Sequence, residues 1–411
     1  MLRRPSQPPP ERDGLTLEGA ATSLTISAYP SHARQPHCRL PLPPFSPVSA
    51  CLPIAPTSWR RVILTLLLAY GAARLFVWLH TPIPWMMGPL LATALVSMLG
   101  ARTESWVTFR NTAQWIVGTA LGLYFTPEVG HLILGWWWAI ALGVLWALAM
   151  GLGFGAWLRH YHAPRWPDLS PAQLHSTSYF ASAIGGASEM TLIAERHGAR
   201  TDLVAAAHSL RVLMVTLTIP FALQFWGVHG LHPLPESLRT VQADGLALLA
   251  GLTLLGVWLM RRLGRANPWL MGGLLVSMGL SLSGVVLSAL PGGLTNAAQM
   301  VIGVSLGVRF TPDFLHTAPR WLASVALGSA VMMALCAAFA WALAALTGAH
   351  PATLVLGTSP GGIAEMAITA KVLQLGVPVV TAFQVSRLVA VLILAEPLFR
   401  WRAARQARAA A

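Results

Sequence analysis

Charged side chains are scarce in this chain, and so is cysteine. Only 10% of the 411 residues are charged, while 55% are hydrophobic. Soluble globular proteins carry roughly 25% charged residues, so most of this chain cannot face water. The three cysteines have no metal-ligand spacing and imply no disulfide framework. These shortages exclude an ordinary soluble domain and a disulfide-stapled one.

What the sequence has instead is long apolar runs. Lipid offers no partner to an unpaired backbone amide, and the runs show no strand-like alternation, so they are expected to be helical. The sequence therefore predicts an all-α polytopic membrane protein embedded in the lipid bilayer. Four runs approach or exceed the roughly 20 residues that a helix needs to cross a bilayer, namely 62–79, 132–158, 243–260 and 321–346.

The formal net charge of +13 raises the alternative of a nucleic-acid-binding protein. The arginines, however, lie in loops and tails beside apolar runs, where positive charge fixes the orientation of a membrane protein. No soluble stretch after residue 58 is long enough for a helix-turn-helix domain. We therefore expect no direct contact with nucleic acid.

Residues 1–58 differ from the rest of the chain, because they are rich in proline and arginine and have no sustained apolar periodicity. This composition favours a disordered tail, and a wrongly assigned start codon explains it equally well. No apolar segment typical of a signal peptide follows the initial charges. Residues 59–235 and 236–400 are predicted to be two membrane repeats, and residues 401–411 a basic cytoplasmic tail.

The chain repeats itself in four blocks that keep the same order. One 18-residue stretch aligns on its counterpart without gaps and with 9 identities. Self-similarity of this kind is the signature of an internal duplication. The blocks pair 84–88 with 268–272, 111–128 with 296–313, 185–190 with 361–366, and Arg211 with Arg387.

Each half contains six apolar elements, of which the fifth is unusual because it holds paired glycines, hydroxyl side chains and a carboxylate. A membrane tolerates such a segment when it is re-entrant or broken and faces protein or a water-filled cavity. If the fifth element does not cross, the loop cations fall on the face of Arg60 and Arg61, with only Arg239 and Lys371 opposite. We therefore predict two inverted repeats with about ten transmembrane helices plus two re-entrant or broken segments, and both termini in the cytoplasm. Inverted repeats with interrupted helices are typical of secondary transporters.

Four ionisable residues inside the apolar elements occur in both halves: Glu189 with Glu365, and Arg211 with Arg387. Each costs about 2.5–3.5 kcal/mol at a helix centre, so each requires a structural or functional explanation. In one interpretation, each glutamate pairs with its arginine and locks the re-entrant segment to the next helix. In the other, the glutamates bind a proton or cation and the arginines face an anionic substrate. The sequence leaves both open.

Two further repeated patterns belong to the candidate site. Glycine pairs beside the glutamates allow backbone amides to approach a ligand closely, and an N-x-x-Q pattern places two amide side chains on one helix face. The amides either line the same cavity or form hydrogen bonds between helices. We predict no metal ligand and no cofactor. The residues are Gly185, Gly186, Gly361 and Gly362, and Asn111, Gln114, Asn296 and Gln299.

With these blocks, the sequence resembles the bacterial membrane AbrB family, also catalogued as an ammonia monooxygenase, from about residue 60 to residue 400. The paired blocks PWMMGPLL/PWLMGGLL, NTAQWIVGTALG/NAAQMVIGVSLG and GGASEM/GGIAEM carry the resemblance. It implies a bacterial inner-membrane protein connected with the regulation of gene expression, unrelated to the small soluble DNA-binding regulators that share the name. The design is also similar to that of glutamate and citrate symporters, at the level of fold only.

The favoured hypothesis is a cation-coupled secondary transporter, or a sensor derived from one, for a small organic anion. The alternative is a membrane regulator that acts through a partner protein without transport. A membrane monooxygenase is third and disfavoured, because that chemistry needs a metal site and the sequence shows no ligand spacing for one. We therefore expect no enzymatic activity, and assembly into a homo-oligomer stays open.

Overall fold

The computed structural model describes residues 58–166, 169–228, 240–265, 267–312 and 318–410, without the side chains of 406–410. Within these ranges it contains fifteen α-helices, one short 3-10 turn and no strand. The prediction of an all-α protein is thus confirmed. The tail predicted at 1–58 lies outside the described residues, apart from Ser58.

The helices of the first half are α1 (Trp59–Trp78), α2 (Pro84–Met98), α3 (Val107–Gly122), α4 (Pro127–Gly135), α5 (Trp137–His162), α6 (Pro171–Ser182), α7 (Ala187–Arg196) and α8 (Thr201–Phe225). Those of the second half are α9 (Ala243–Arg262), α10 (Pro268–Leu282), α11 (Gly292–Gly307), α12 (Pro319–Thr347), α13 (Pro351–Thr358), α14 (Ile363–Val372) and α15 (Val377–Ala410).

Six helices in the described part of the chain are long and apolar enough to cross a membrane: α1, α5, α8, α9, α12 and α15. Helices α2 and α10 are equally apolar but contain only 15 residues each. At 1.5 Å per residue they are about 22 Å long, less than the roughly 30 Å of a hydrocarbon core. The described helices therefore have the lengths and the apolar composition of a membrane protein.

One predicted boundary is wrong. The apolar run 132–158 predicts one helix, but the structure ends α4 at Gly135 and begins α5 at Trp137. Hydropathy cannot locate this break, because the residues on both sides of it are apolar. The basic tail predicted at 401–411 is helical as far as Ala410 and stays a prediction.

Helix α1 runs antiparallel to α2, and the loop after α2 returns to the start of α1. The Glu104 carboxylate in that loop accepts hydrogen bonds from the Ser58 backbone amide at 3.0 Å and from Arg61 Nη1 at 2.9 Å. Helices α1 and α3 therefore begin at the same end of the bundle, which we call the first face; the opposite end is the second face. In the second half, the Ala289 amide donates to the Thr240 carbonyl oxygen at 3.0 Å, so α9 and α11 also begin at a common end.

Glycines let α2 pack closely against α11, and α3 against α10. A Cβ added to Gly303 would lie 2.5 Å from the carbonyl oxygen of Met86, and one added to Gly307 would lie 2.8 Å from that of Leu90. Residue numbers rise together along the two helices, so α2 and α11 run in the same direction. Because α2 runs from the second face to the first, α11 and α9 begin at the second face.

The fifth elements are hairpins that enter and leave at the same face. The Arg200 amide, at the start of α8, donates to Thr177 Oγ1 in α6 at 3.0 Å, and Arg211 farther along α8 donates to Ala183 just after α6. Helix α8 therefore runs in the same direction as α6, and α7 must turn back between them. In the second half, a Cβ added to Gly376, just before α15, would lie 3.3 Å from Thr353 Cγ2 in α13. Arg387, farther along α15, donates to the carbonyl oxygen of Gly361, just after α13. Helix α15 therefore runs in the same direction as α13.

The two hairpins enter from opposite faces. Helix α3 ends at the second face, and α5, with 26 residues, crosses to the first, where α6 begins. Helix α11 ends at the first face, and α12, with 29 residues, crosses to the second, where α13 begins. The helical backbone of each hairpin is interrupted over four residues, 183–186 and 359–362. The interruptions therefore lie within the bundle, away from both faces.

Candidate functional site

The two interruptions meet at one cavity with a volume of about 330 Å³. The cavity also reaches the first turn of α3, the first residues of α10 and the last turn of α11, all of which lie at the first face. The two hairpins, which are far apart in sequence, thus contribute equivalent residues to the same space. These residues are Gly185, Gly186 and Glu189 from the first hairpin, and Gly361, Gly362 and Glu365 from the second.

Both glutamates fold back over the glycine that precedes their helix. Glu189 and Glu365 lie in the first turns of α7 and α14, whose N-cap residues are Gly186 and Gly362. A Cβ on Gly186 would lie 2.1 Å from Glu189 Oε2, and one on Gly362 would lie 2.0 Å from Glu365 Oε2. Each carboxylate therefore occupies the space that a side chain at the N-cap would fill. The positive end of each helix dipole favours a negative charge there.

The repeated arginines bind backbone carbonyl groups and do not pair with the glutamates. Arg211 Nη2 donates to the Ala183 carbonyl oxygen at 2.8 Å, and Arg387 donates to the carbonyl oxygens of Ser359 and of Gly361, the latter at 2.7 Å. In the part of the chain that the structure describes, neither Glu189 nor Glu365 has a cationic nitrogen within 4.0 Å. The Glu–Arg pair, one of the two interpretations left open by the sequence, is therefore not formed. The arginines instead neutralise the negative ends of α6 and α13.

A residue one turn before each arginine orients it, and the sequence analysis missed both. His208 Nδ1 lies 2.8 Å from Arg211 Nη2, while its Nε2 lies 3.0 Å from the Phe180 carbonyl oxygen. In the second half, Gln384 Oε1 accepts from Arg387 Nη2 at 2.7 Å, and Gln384 Nε2 donates to the Leu356 carbonyl oxygen at 2.7 Å. Different side chains thus perform the same task. Each of them precedes its arginine by one helical turn in the sequence, and this common position was a signal that could have identified them.

The other predicted site residues divide between the cavity and its surroundings. Arg387 and Gln114 line the cavity, whereas Arg211 lies behind it, with its neighbour Val212 at the wall. The remaining amides of the N-x-x-Q patterns do not line it. Asn111 and Asn296 are half-buried, and Gln299 is buried with 6% of its surface exposed.

Two further arginines line the cavity and were predicted only as loop cations that fix orientation. Arg110 lies in the first turn of α3, and Arg309 follows the end of α11. Both are half-buried. Helices α3 and α11 contain 16 residues each, about 24 Å, which is shorter than the roughly 30 Å of a hydrocarbon core. This shortness explains why residues at helix ends reach a cavity inside the bundle.

Comparison with known proteins identifies the family. The sequence profile described as "Transition state regulatory protein AbrB" matches residues 85–403. The chain belongs to the AbrB family. "Putative regulator AbrB" of Escherichia coli (strain K12) is 27% identical over 350 residues, which cover 82% of this chain and 94% of the relative. "Uncharacterized protein YhjN" of Bacillus subtilis (strain 168) is 26% identical over 345 residues, covering 77% and 87%.

The region matched to the AbrB family contains the whole cavity, from Arg110 to Leu388. Two other charged residues of the apolar helices lie outside the cavity. Glu396 accepts from Arg400 Nη2 at 2.6 Å and lies 3.4 Å from His197 Nε2, and the Arg74 side chain is exposed on α1. Among the described residues, no group of three or more His, Cys, Asp or Glu side chains is placed to hold a metal ion.

The arrangement provides two carboxylates at the ends of two short helices, within one cavity of limited size. An ionised carboxylate inside a membrane protein is costly unless a proton, a cation or a hydrogen-bond donor compensates it. Here the helix dipoles and nearby backbone amides compensate the carboxylates, and Arg309 lies within electrostatic range of Glu365, whereas Arg211 and Arg387 bind backbone carbonyl groups. The site is therefore suited to bind and release a proton or a small cation.

Proposed function

We propose that this AbrB-family protein is a secondary transporter, or a sensor derived from one, that couples a proton or cation to a small organic anion. The observation that carries the proposal is the meeting of two glycine-bearing hairpins, from opposite faces, at one cavity that contains Glu189 and Glu365. Interrupted helices that meet inside a membrane bundle are the usual binding elements of secondary transporters.

We further infer that the two halves are inverted repeats with ten crossings and two re-entrant hairpins. Helices α2 and α11 run in the same direction, although they are the second and third helices of their respective halves. In parallel repeats they would run in opposite directions. The crossings would be α1, α2, α3, α5 and α8 in the first half, and α9, α10, α11, α12 and α15 in the second.

In this proposal the cavity is open towards the first face and closed towards the second. Gln114 lines the cavity, whereas its counterpart Gln299, near the start of α11 at the second face, is buried. Near the second-face ends of α2 and α3, apolar residues such as Met86, Leu121 and Phe125 are buried in one cluster. Two sequence-equivalent amides in different environments are expected of a transporter held in one of two alternating states.

The arginine-rich first face faces the cytoplasm in this proposal, because positive loops stay on that side. The protein would then lie in the bacterial inner membrane with both termini inside. The alternative function is a membrane regulator that acts through a partner protein without transport. The name of the Escherichia coli relative, "Putative regulator AbrB", supports the regulatory part of this alternative.

Flux in proteoliposomes distinguishes the two functions. The purified full chain is reconstituted with an internal pH-sensitive or sodium-sensitive dye, and short-chain carboxylates are added one at a time. A transporter predicts solute-dependent movement of the ion, and protein-free liposomes provide the background. Binding of a solute without any ion or solute flux would favour the sensor or regulator.

A further inference from the structure

Arg110 and Arg309 lie at the mouth of the same cavity, and nothing in the described part of the chain neutralises them directly. Neither guanidinium has a carboxylate oxygen within 4.0 Å, and Arg110 Nε is buried without a hydrogen-bond partner among the described residues. Arg309 lies within electrostatic range of both Arg110 and Glu365. Within the described ranges, two guanidinium groups therefore face one space without a carboxylate partner.

The internal duplication supplies a control for this arrangement. In the alignment of 111–128 with 296–313, the counterpart of Arg110 is Thr295 and the counterpart of Arg309 is Tyr124. Helix α11 thus begins without the first arginine, and α3 ends without the second. The architecture does not require either positive charge, so a structural role shared by both halves does not explain them.

We propose that Arg110 and Arg309 form the anion subsite of the cavity and select a small dianion, either a dicarboxylate or a phosphate. The planar guanidinium fork matches carboxylate and phosphate oxygens in a bidentate manner, and two forks match two negative charges. Ser305 also lines the cavity, and its hydroxyl group donates to the Ile302 carbonyl oxygen at 2.8 Å. The inference rests on the proposed function, since the same cavity is the path of the solute.

This placement gives the two faces different roles. The pair of arginines exists only at the first face, because Thr295 and Tyr124 carry no positive charge. At the second face, a single ammonium group, Lys371 Nζ, lies 5.9 Å from the centroid of the Tyr124 ring. A cavity that opens to the second face would retain the two glutamates and Arg387. It would lose the guanidinium groups of Arg110 and Arg309. A dianion would then be held more weakly on that side, which favours its release there.

Equilibrium binding to the full chain in nanodiscs tests the proposal. The probes are succinate and inorganic phosphate as dianions and acetate as a monoanion, measured by isothermal titration calorimetry. At least one dianion should bind about tenfold or more tightly than acetate, and Arg110→Gln and Arg309→Gln should each remove most of that preference. Arg102→Gln, in the exposed loop of the same face, is the matched control and should bind as the unmodified chain does.

Stability without ligand gives a second readout. Because each variant relieves repulsion between unpaired like charges, Arg110→Gln and Arg309→Gln should unfold at the same or a higher temperature than the unmodified chain. Equal binding of succinate, phosphate and acetate, or a dianion preference that survives both substitutions, would overturn the subsite. Ion-dependent uptake of acetate or another monoanion would support the proposed transport even if the dianion subsite is wrong. Selective binding of a dianion without any transport would contradict the proposed transport and leave the subsite in place.

Discussion

Arg387 donates a hydrogen bond of 2.7 Å to the carbonyl oxygen of Gly361, at the point where the second hairpin turns. The same guanidinium binds the Ser359 carbonyl oxygen and Gln384 Oε1. Its partners are thus the end of a broken helix and the Gln384 amide, and not the Glu365 carboxylate. The Arg387 guanidinium compensates the carbonyl end of α13, and in the proposed function Glu365 is left available to a ligand.

Loss of the equivalent arginine in the first half should destabilise the protein without involving the glutamate. Arg211→Met leaves the carbonyl oxygens of Ala181, Ser182 and Ala183 without their donor, at about 1–3 kcal/mol for each stranded group. Thermal unfolding in nanodiscs measures the loss. Adding Glu189→Gln should change stability additively, within about 0.5 kcal/mol, because the two side chains share no bond. Recovery of stability in the double variant would mean that they are an ion pair after all.

Gly362→Ala should displace the Glu365 carboxylate. The new Cβ would lie 2.0 Å from Glu365 Oε2, and overpacking of this kind costs about 1–3 kcal/mol. Adding Glu365→Ala should restore much of that stability, because the obstructing group is removed. Gly251→Ala, in α9 with open space around it, is the control and should be neutral or slightly stabilising. An equal effect at both glycines would argue against the packing described here.

The loops after α2 and after α9 should be accessible from the same side of the membrane. In a chain lacking its three native cysteines, Ala101→Cys and Arg265→Cys should react with an impermeant thiol reagent from one side only. Ser283→Cys, in the loop between α10 and α11, should react only from the other side. All three positions are exposed. Labelling of Ala101→Cys and Arg265→Cys from opposite sides would rule out inverted repeats.

The buried amide of α11 should become accessible during transport. In the same background, Gln114→Cys should be labelled from the first face at rest, while Gln299→Cys should be protected, since only 6% of Gln299 is exposed. Addition of solute and coupling ion should increase labelling of Gln299→Cys from the second face. Protection of that position under all conditions would favour a static receptor over a transporter.

Much of this architecture could be predicted from the sequence, because each part leaves a local chemical signature. Apolar runs identify the helices, and a glycine pair beside a glutamate marks the interruption of a helix that could not otherwise hold a charge. The positions of the arginines beside the runs led to the re-entrant hairpins. Helix α6 packs beside α8, and α13 beside α15, but which segments cross the membrane stays a prediction.

The partners of the charges could not be predicted, because a charge in the sequence does not reveal what it binds. Each half contains one glutamate and one arginine at equivalent positions, and this recurrence favours an ion pair. In the structure, however, Arg211 donates its hydrogen bonds to backbone carbonyl groups. Arg110 and Arg309 look like ordinary loop cations until the short lengths of α3 and α11 place them inside the bundle. The roles of His208 and Gln384 also depend on packing.

The central claim is that Glu189 and Glu365 carry the coupling ion, and the most direct measurement is uptake by the Glu189→Gln, Glu365→Gln double variant. Solute uptake into proteoliposomes is recorded with and without a pH or sodium gradient, and solute binding is measured separately to show that the variant is folded. Glu195→Gln, an exposed acid on the same helix as Glu189, is the control and should keep full dependence on the gradient. The account predicts that the double variant still binds solute but takes it up independently of the gradient. Uptake by the double variant that remains near normal and dependent on the gradient would contradict it.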